Sequence, residues 1–403
     1  MVWLCYSTMR ILIATDKFKG SLTQKEATQA IVDGVRRACP EADIDLCPLA
    51  DGGEGTVQAV LTSVAGTCKT FEVCGPLPGM KVSAPVAFID NGRTAVIELA
   101  SASGLILLDP CQYDPTRTTT FGTGELLRHA ADTGVKKIIL GIGGSATCDG
   151  GIGIAQAWGG AIRMINGKIY SANDRKLCGK DVGMVLSIQP YHPLYRNYQS
   201  SLALPDPASQ AVLDTRGIEF VVACDVGNPL YGPDGAAHIF APQKGATPDQ
   251  VRLLDEALRK LADRLQRQDQ AMAPGAGAAG GVGFGMMVLF GASIVSGAEL
   301  ILGLSGFHRR LAKADLVITG EGKLDSQTLA GKAPAVVARA CKQAAKRCIA
   351  FTGVIGNGAD RLLEEGLTSY FSITDQSMNT DQAFRQAASL LTDTVARTLR
   401  LLV

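Results

Sequence analysis

Residues 10–31, RILIATDKFKGSLTQKEATQAI, decide the fold class because they contain one complete strand–loop–helix unit. The apolar run 10–14 predicts a buried strand, and the polar loop 16–20 follows it. Thr23 and Glu26 then have capping-box spacing, and the apolar residues that follow recur at helical intervals up to Pro40. The stretch therefore predicts a β-strand that leads through a polar loop into an amphipathic helix.

The same unit recurs next to it and again near the end of the chain. Residues 44–49 alternate as a strand, the loop ADGGEG follows, and 56–65 has a helical pattern. Residues 315–319 predict a strand that enters the polar loop GEGKLDSQT, ahead of a helix through 345 and a strand at 347–354. Repeated units of this kind predict a parallel sheet with crossover helices, in which ligands bind at the carboxyl ends of the strands.

The middle of the chain has a different pattern. A meander of three strands is predicted at 69–74, 81–89 and 94–99, and a strand at 136–142 precedes GGSATCDGG. An irregular region at 165–217 and a further strand at 218–224 follow. A helix is predicted at 249–268, ahead of the glycine-rich stretch PGAGAAGGVGFG.

We therefore predict an α/β protein of two α/β domains. A Rossmann- or flavodoxin-like domain would be formed by both chain ends, 9–80 and 292–403, with a second, mixed α/β domain inserted at 81–291. Two domains also suit the length of 403 residues. We expect residues 1–8 to be a disordered extension.

Composition excludes several classes of function. The net charge is +1 and no cluster of Lys and Arg stands out, so we expect no nucleic-acid partner. The 11 cysteines form no C-x-x-C pair and the four histidines are far apart, which indicates a reducing, cytoplasmic environment and argues against a zinc site. The first eight residues lack the features of a signal peptide. The uncharged stretch 271–298 is too rich in Gly and Ala to predict a membrane span.

Standard nucleotide motifs are missing from the sequence. No G-x-x-x-x-G-K-[ST] pattern occurs, which argues against a P-loop enzyme. Two dinucleotide-type glycine patterns occur, at 141–146 and 275–280. The first lacks the acidic residue expected about 20 positions later, and the second follows a helix and a proline rather than a strand, which argues against a dehydrogenase.

What remains is a set of loops in which glycine is mixed with carboxylates and cations. Phosphoryl transfer needs backbone N–H groups that bind phosphate oxygens, carboxylates that hold Mg²⁺, and cations that neutralise charge. A single loop of this type is more often a simple turn, Arg117 could merely precede a helix, and 275–285 could reflect close helix packing. Several such loops in one chain favour phosphoryl transfer over turns; they lie at 51–55, 143–151, 224–229 and 320–325.

These loops, in this order, resemble those of the bacterial type-1 glycerate kinases over nearly the whole chain from Met9. The segments that carry the resemblance are DKFKGSLT (16–23), PLADGGEGT (48–56), ASASGL (100–105), RTTTFGTGEL (117–126), GIGGSATCDGG (141–151), ACDVGNPLYGPDGAAHIFAPQKGA (223–246), PGAGAAGGVGFG (274–285) and DLVITGEGKLDSQTLAGKAP (315–334). The chain departs from the family at Cys148, where Asn is usual, and at Lys17, where Ser is usual.

The resemblance implies ATP and Mg²⁺ as cofactors, D-glycerate as acceptor and 2-phosphoglycerate as product. It also implies a discontinuous two-domain fold with the active site in the cleft between the domains. The alternatives are a kinase for another small hydroxy acid, transfer to the 3-hydroxyl, and a non-catalytic ligand-binding protein of this fold. We expect small-molecule partners, no membrane partner, and a possible homo-oligomer.

Within this resemblance we assign roles to individual residues. We expect Arg117 or Lys19 to bind the glycerate carboxylate, because a cation is needed and Arg can bind it through two hydrogen bonds. Asp51 or Asp225 would accept the proton of the 2-hydroxyl. The full set of catalytic and acceptor-binding candidates is Asp51, Asp225, Lys19, Arg117, Asp16 and Ser103.

ATP and its metal ion have their own candidates. Backbone N–H groups of glycine loops would bind the phosphates and a lysine would neutralise their charge, at Gly143, Gly144, Lys244, Gly277, Gly280, Gly281 and Gly283. Carboxylates would hold Mg²⁺, at Glu321, Asp325 and Asp149.

Overall fold

The computed structural model describes residues 9–49, 52–190, 213–374 and 378–401. Its contacts divide the chain into two compact units. Unit 1 is formed by the described residues of Met1–Asp51, Gln58–Val64 and Ser296–Val403, and unit 2 by those of Gly52–Val57 and Ala65–Val295. Parallel and mixed sheets with helices confirm the α/β class. The expected domain boundaries near 80 and 291 stay a prediction, and the expected extension 1–8 lies outside the described residues.

The strands are, in chain order, β1 Arg10–Ile13, β2 Asp43–Leu46, β3 Gly66–Cys74, β4 Lys81–Ile89, β5 Thr94–Glu98, β6 Lys137–Gly141, β7 Gly160–Met164, β8 Ile169–Tyr170, β9 Val185–Pro190, β10 Glu219–Ala223, β11 Ser293–Val295, β12 Leu316–Leu324, β13 Arg347–Ile355 and β14 Ser369–Ser372.

The α-helices are α1 Gln24–Ala38, α2 Thr56–Ser63, α3 Ala100–Ser103, α4 Phe121–Asp132, α5 Ile152–Trp158, α6 Ala236–Phe240, α7 Pro248–Leu265, α8 Gln268–Ala271, α9 Ala278–Phe290, α10 Gly297–Leu304, α11 Phe307–Leu311, α12 Ala333–Gln343, α13 Arg361–Glu365 and α14 Thr380–Leu399. None of the helices that the structure describes is both long and apolar enough to cross a membrane.

Unit 1 contains a five-stranded parallel sheet in the order β14-β13-β12-β1-β2. The predicted capping box is confirmed: the Thr23 backbone N–H donates to the Glu26 carboxylate at 2.8 Å, and Glu26 N donates to Thr23 Oγ1 at 3.3 Å. Helices α1 and α14 cross closely, since a Cβ on Gly34 would lie 2.6 Å from the Thr392 carbonyl oxygen. The strand–loop–helix prediction for residues 10–38 is therefore confirmed.

Strand β12 is longer than predicted. The sequence places a loop from Gly320 onward, whereas the strand runs through Leu324 because β13 pairs with it as far as Ile355. Glycine permits this pairing, since a Cβ on Gly320 would lie 2.4 Å from the Phe351 carbonyl oxygen. Glu321 therefore lies on a strand rather than in a loop.

Unit 2 contains a six-stranded mixed sheet in the order β11-β10-β6-β5-β4-β3. The predicted meander is confirmed, because β3, β4 and β5 pair antiparallel. Strands β5, β6, β10 and β11 then pair parallel, so their carboxyl ends lie at one edge. The region 165–217 was expected to be irregular, but β8 and β9 fall within it and form a small antiparallel sheet with β7; residues 191–212 lie outside the described residues.

Candidate functional site

Three polar segments of unit 2 lie together at the carboxyl ends of its parallel strands. Gly143 N donates to the Gly52 carbonyl oxygen at 3.2 Å, and a Cβ on Gly141 would lie only 2.3 Å from that oxygen. Ala146 N donates to the Ser103 carbonyl oxygen at 2.9 Å. The glycine-rich loop 143–151 is thereby fixed between the segment that follows β5 and residues 52–55.

The side chain of Asp149 fixes the far end of this loop. Its Oδ2 accepts hydrogen bonds from the Thr120 backbone N–H and hydroxyl, both at 2.8 Å, and its Oδ1 accepts from Gly151 N at 3.1 Å. Complete burial raises the pKa of Asp149, while the bonds from Thr120 and Gly151 oppose that rise. Asp149 thus joins the start of α4 to the start of α5, and both of its oxygens are already bonded within the protein.

Lys244 lies behind the same loop. Its ammonium donates to Ser145 Oγ at 2.8 Å and to the Thr147 carbonyl oxygen at 2.7 Å, and the residue is 2% exposed. Burial lowers the pKa of Lys244 to about 8. The neighbouring Cys148 thiol stays neutral, because burial raises its pKa to about 12. The loop therefore has a fixed, buried cation beneath it.

The glycines expected to bind phosphate through 277–283 are buried against protein backbone. Ala279, Gly280 and Gly281 have left-handed backbone angles at the start of α9. A Cβ on Gly280 would lie 2.1 Å from the Thr147 carbonyl oxygen. A Cβ on any of the other three glycines would also lie within 3 Å of backbone atoms of a neighbouring residue: Pro229 for Gly277, Gly150 for Gly281 and Gly275 for Gly283. Close packing thus accounts for glycine at each position, and direct phosphate binding by these residues stays a prediction.

Three other predicted residues of unit 2 differ in exposure. Arg117 is exposed. The segment that precedes it packs against Gly245, since a Cβ on Gly245 would lie 2.3 Å from the Tyr113 carbonyl oxygen. Asp225 is half-buried immediately after β10. Ser103 is fully buried, and its hydroxyl lies 2.8 Å from the Thr123 hydroxyl.

Unit 1 has a charged segment, residues 320–328, at the carboxyl end of β12. Lys323 Nζ lies 2.8 Å from Asp325 Oδ2, and Lys332 Nζ lies 3.7 Å from Glu321 Oε2. The Thr328 hydroxyl donates to Glu321 Oε1 and accepts from Asp325 N, so the two acidic residues share this partner. Burial raises the pKa of Asp325, but the bonds from Lys323 and from a backbone N–H outweigh it and the net shift is downward.

The loop 16–20 runs beside this segment. Asp16 N donates to the Gly320 carbonyl oxygen at 3.2 Å, and Asp16 Oδ1 accepts from Lys17 N at 2.7 Å. A Cβ on Gly322 would lie 3.0 Å from Lys19 N, so only a residue without a side chain lets the loop approach so closely. The structure thus brings Asp16 and Lys19 to the edge that carries Glu321.

The two sets of predicted residues are grouped by unit. Asp16, Lys19, Glu321 and Asp325 belong to unit 1, and the remaining described candidates belong to unit 2. Asp51 lies outside the described residues. The sequence interpretation missed the hydroxyl groups that fix the loops, those of Thr118, Thr120, Ser145 and Thr328. The runs TTT and GGSAT were the available signal for the first three. The interpretation also gave no role to Glu54, whose Oε1 would lie 3.0 Å from a Cβ on Gly144.

Comparisons with known proteins agree on one family. The sequence model described as the Glycerate kinase family matches residues 11–403. The chain is 42% identical over 384 residues to "Glycerate kinase" of Halalkalibacterium halodurans, covering 94% of this chain and 95% of the relative. It is 39% identical over 384 residues to "Glycerate 2-kinase" of Escherichia coli K12, covering 94% of each. A crystal structure from Salmonella typhimurium LT2, of a protein assigned as glycerate kinase 2, superimposes with a TM-score of 0.76 at 38% identity and 98% coverage of both chains.

Proposed function

Because the chain belongs to the glycerate kinase family, we propose that it transfers a phosphoryl group from ATP to the 2-hydroxyl of D-glycerate, giving 2-phosphoglycerate and ADP. The family model spans residues 11–403, so the whole described chain takes part in the resemblance. The residue roles below are part of the same proposal.

The observation that carries the proposal is the buried ammonium of Lys244 beneath the loop 143–151. A fully buried lysine is costly unless its charge has a use or a partner. Here it is bonded only to neutral oxygens, those of Ser145 and Thr147. A fixed positive charge beside the exposable backbone of Gly143 and Gly144 suits phosphate oxygens of ATP.

We assign Lys244 a positioning role as well as an electrostatic one. Its two hydrogen bonds hold the loop from below, while Asp149 holds it through Thr120 and Gly151. The packed glycines at 277–283 support the same loop from a third side. For Asp149 we therefore favour loop positioning over metal binding.

The acceptor is bound by the remaining polar residues in our proposal. Arg117 is exposed and can offer two parallel N–H groups to the glycerate carboxylate, and Lys19 is the second cation available. Asp225 or Asp51 accepts the proton as the 2-hydroxyl oxygen attacks the γ-phosphorus. Asp16 and Ser103 would help to orient the acceptor, Ser103 through its backbone and its bond to Thr123.

Glu321 and Asp325 fit a magnesium ion. Their carboxylates share the Thr328 partner, and the downward pKa shift of Asp325 keeps it ionised. Mg²⁺ commonly takes one or two carboxylates and completes its shell with water and phosphate. This agrees with the described residues, among which no three His, Cys, Asp or Glu side chains converge on one point. When bound, Mg²⁺ would neutralise charge on the ATP phosphates.

The experiment that tests this function is ADP release measured with D-glycerate, L-glycerate and glycolate, followed by ³¹P NMR of the product. We expect ADP only with glycerate and a phosphorus signal coupled to the C2 proton. A product coupled to the C3 protons would mean transfer to the 3-hydroxyl. Absence of ADP release with every acid would favour a non-catalytic binding protein. Cytoplasmic location and homo-oligomerisation stay predictions.

A further inference from the structure

Glu98 is a buried glutamate to which the proposed reaction gives no role. It is the last residue of β5 and is 8% exposed. Its Oε1 accepts a hydrogen bond at 2.6 Å from the backbone N–H of Val57, which is also buried. Glutamate is rarely buried to this extent unless its carboxyl group has a partner. The bond therefore joins the carboxyl end of β5 to the first turn of α2.

Residues 52–57, the connector, form a tight turn that ends at this bond. The carbonyl oxygen of Gly53 accepts from the Thr56 hydroxyl at 2.7 Å and from the Thr56 backbone N–H at 3.3 Å. Thr56 is fully buried, so the turn has little room to open. Because Val57 follows Thr56 directly, the bond from Val57 to Glu98 also restrains the glycines at the start of the connector.

The connector packs between the carboxyl ends of β6 and β10. A Cβ on Gly52 would lie 2.7 Å from the Ala223 carbonyl oxygen, at the end of β10. A Cβ on Gly143, just after β6, would lie 2.6 Å from the Cα of Gly53. The Gly52 carbonyl oxygen also accepts the 3.2 Å bond from Gly143 N. A shift of the connector would therefore displace both strand ends or break these contacts.

The groups next to the connector are those assigned to phosphoryl transfer. Gly143 begins the loop proposed to bind the phosphates of ATP. The two candidate proton acceptors are close in the sequence: Asp51 immediately precedes the connector, and Asp225 follows Ala223 by two residues. Displacement of reacting groups by about 1 Å can lower a rate by about 100-fold, even when the mutation is far from the chemistry.

We propose that Glu98 is a positioning residue for phosphoryl transfer, whose hydrogen bond to Val57 holds the connector against Gly143 and Ala223. This inference rests on the proposed function, because the groups that it positions are those assigned to that reaction. Glu98 acts through the connector and not on ATP or glycerate. What matters is therefore an acceptor oxygen at this point, and not a negative charge.

The test compares three substitutions of Glu98 by the kcat of ADP release with D-glycerate. Glu98→Gln keeps the chain length and an acceptor oxygen, so kcat should stay within about threefold of the wild type. Glu98→Asp keeps the carboxyl group but is one methylene shorter, and Glu98→Ala has no acceptor. Both should lower kcat by about 10- to 100-fold. A role that depended on charge would give the opposite order for Glu98→Gln and Glu98→Asp.

Asp315→Ala is the matched control. Asp315 Oδ2 accepts from the Arg10 backbone N–H at 2.8 Å, at the amino ends of β1 and β12. The variant removes the same kind of hydrogen bond, but from the end of a parallel sheet opposite to the one where ligands bind. It should leave kcat unchanged.

Hydrogen exchange measured by mass spectrometry gives a readout that does not need activity. Glu98→Asp and Glu98→Ala should speed exchange in peptides that cover the connector and Gly143, because Val57 N–H loses its acceptor and the bond from Gly143 to Gly52 weakens. Glu98→Gln should match the wild type. Wild-type protein without ADP release would contradict the proposed kinase activity, whereas this exchange pattern would still support the link from Glu98 to Gly143.

Three outcomes would overturn the proposal. The first is a normal kcat in Glu98→Ala or Glu98→Asp with unchanged circular dichroism. The second is a fall of kcat in Glu98→Gln as large as that in Glu98→Asp. The third is unchanged exchange at Gly143 in both Glu98→Asp and Glu98→Ala. If Glu98→Ala does not fold, the comparison of Glu98→Gln with Glu98→Asp decides the question.

Discussion

The loop 143–151 of unit 2 and the segment 320–328 of unit 1 both lie at the carboxyl ends of parallel strands, but their polar groups are held in opposite ways. The loop is fixed by hydroxyl and backbone groups, by the buried carboxyl group of Asp149 and by one buried ammonium, that of Lys244. In the segment, the carboxylates of Glu321 and Asp325 form ion pairs to lysines that reach solvent: the side chain of Lys323 is 58% exposed and that of Lys332 is 38% exposed.

This difference indicates which region already has its binding conformation before ligands are bound. Exposed ion pairs contribute only about 0–1 kcal/mol, so Lys323 and Lys332 can leave their carboxylates when a metal ion arrives. Lys244 has no such freedom, because moving it would leave buried oxygens without donors. We infer that the loop is a fixed phosphate platform and that the segment rearranges on binding Mg²⁺.

The largest effect should come from the proton acceptor. Asp225→Asn and Asp51→Asn are made separately, and we expect kcat to fall by about 100- to 10,000-fold in the variant that removes the general base. The control is Asp234→Asn, at an exposed position of the same region as Asp225. Near-normal kcat in both variants, with intact circular dichroism, would show that neither carboxylate has this role.

Removing the buried cation of Lys244 tests whether the loop 143–151 is a fixed phosphate platform. Lys244→Met should lower kcat/KM for ATP by about 100-fold, since loss of one preorganised electrostatic contact in an active site costs about 2.7–4 kcal/mol. Lys260→Met, at a half-exposed lysine of α7, is the matched control and should be neutral. A normal kcat/KM in Lys244→Met would contradict the platform role.

The pH profile sharpens the same point. Burial lowers the pKa of Lys244 to about 8, so the ammonium is charged below that pH and neutral above it. We expect log(kcat/KM) for ATP to fall above about pH 8 with a slope approaching −1, and this limb should be missing in Lys244→Met. The free energy of unfolding changes in the opposite direction. Between about pH 8 and pH 10.5, the ordinary pKa of lysine, the unfolded chain keeps the proton that the folded chain has lost, so the free energy of unfolding increases as pH rises through this range.

The proposed metal-binding role of the segment 320–328 is tested through the dependence of activity on Mg²⁺. Glu321→Gln and Asp325→Asn should each raise the Mg²⁺ concentration for half-maximal activity by about 10-fold, with a smaller change at saturating Mg²⁺. Glu299→Gln, at the first turn of α10, serves as the control. An unchanged Mg²⁺ requirement in both variants would place the metal elsewhere.

The smallest effect concerns packing beneath the loop. Gly280→Ala should destabilise the fold by at least about 1–2 kcal/mol, because φ is +69° and the new Cβ would meet the Thr147 carbonyl oxygen. Gly303→Ala in α10 has open space and should stabilise by about 0.5–1 kcal/mol. Thermal unfolding of both variants makes the comparison, and equal Tm values would show that the packing argument is wrong.

Local patterns predicted much of the fold. The capping box at Thr23, the meander before β6 and the strand at 219–223 follow from short-range spacing, which acts within one element. The extension of β12 to Leu324 could not be predicted this way, since it depends on pairing with β13.

The candidate site was predicted less completely for the same reason. Glycine and acidic residues in loops are visible in the sequence, whereas the partners of Asp149 and Lys244 come from segments about 29 and 97–99 positions away. The glycines at 277–283 show the limit: one sequence pattern suits both phosphate binding and close backbone packing, and contacts are needed to reveal the packing.

The central claim is that the loop 143–151 is a fixed phosphate platform, whereas the segment 320–328 rearranges on binding Mg²⁺. Its most direct test is ATP binding by isothermal titration calorimetry, first with EDTA and then with Mg²⁺. The proteins compared are the wild type, Lys244→Met and the double variant Glu321→Gln/Asp325→Asn. We predict that Lys244→Met weakens ATP binding by about tenfold or more in both conditions, a difference of about 1.4 kcal/mol. The double variant should match the wild type in EDTA and lose only the gain that Mg²⁺ provides. Equal ATP affinity of Lys244→Met and the wild type in EDTA would contradict the account.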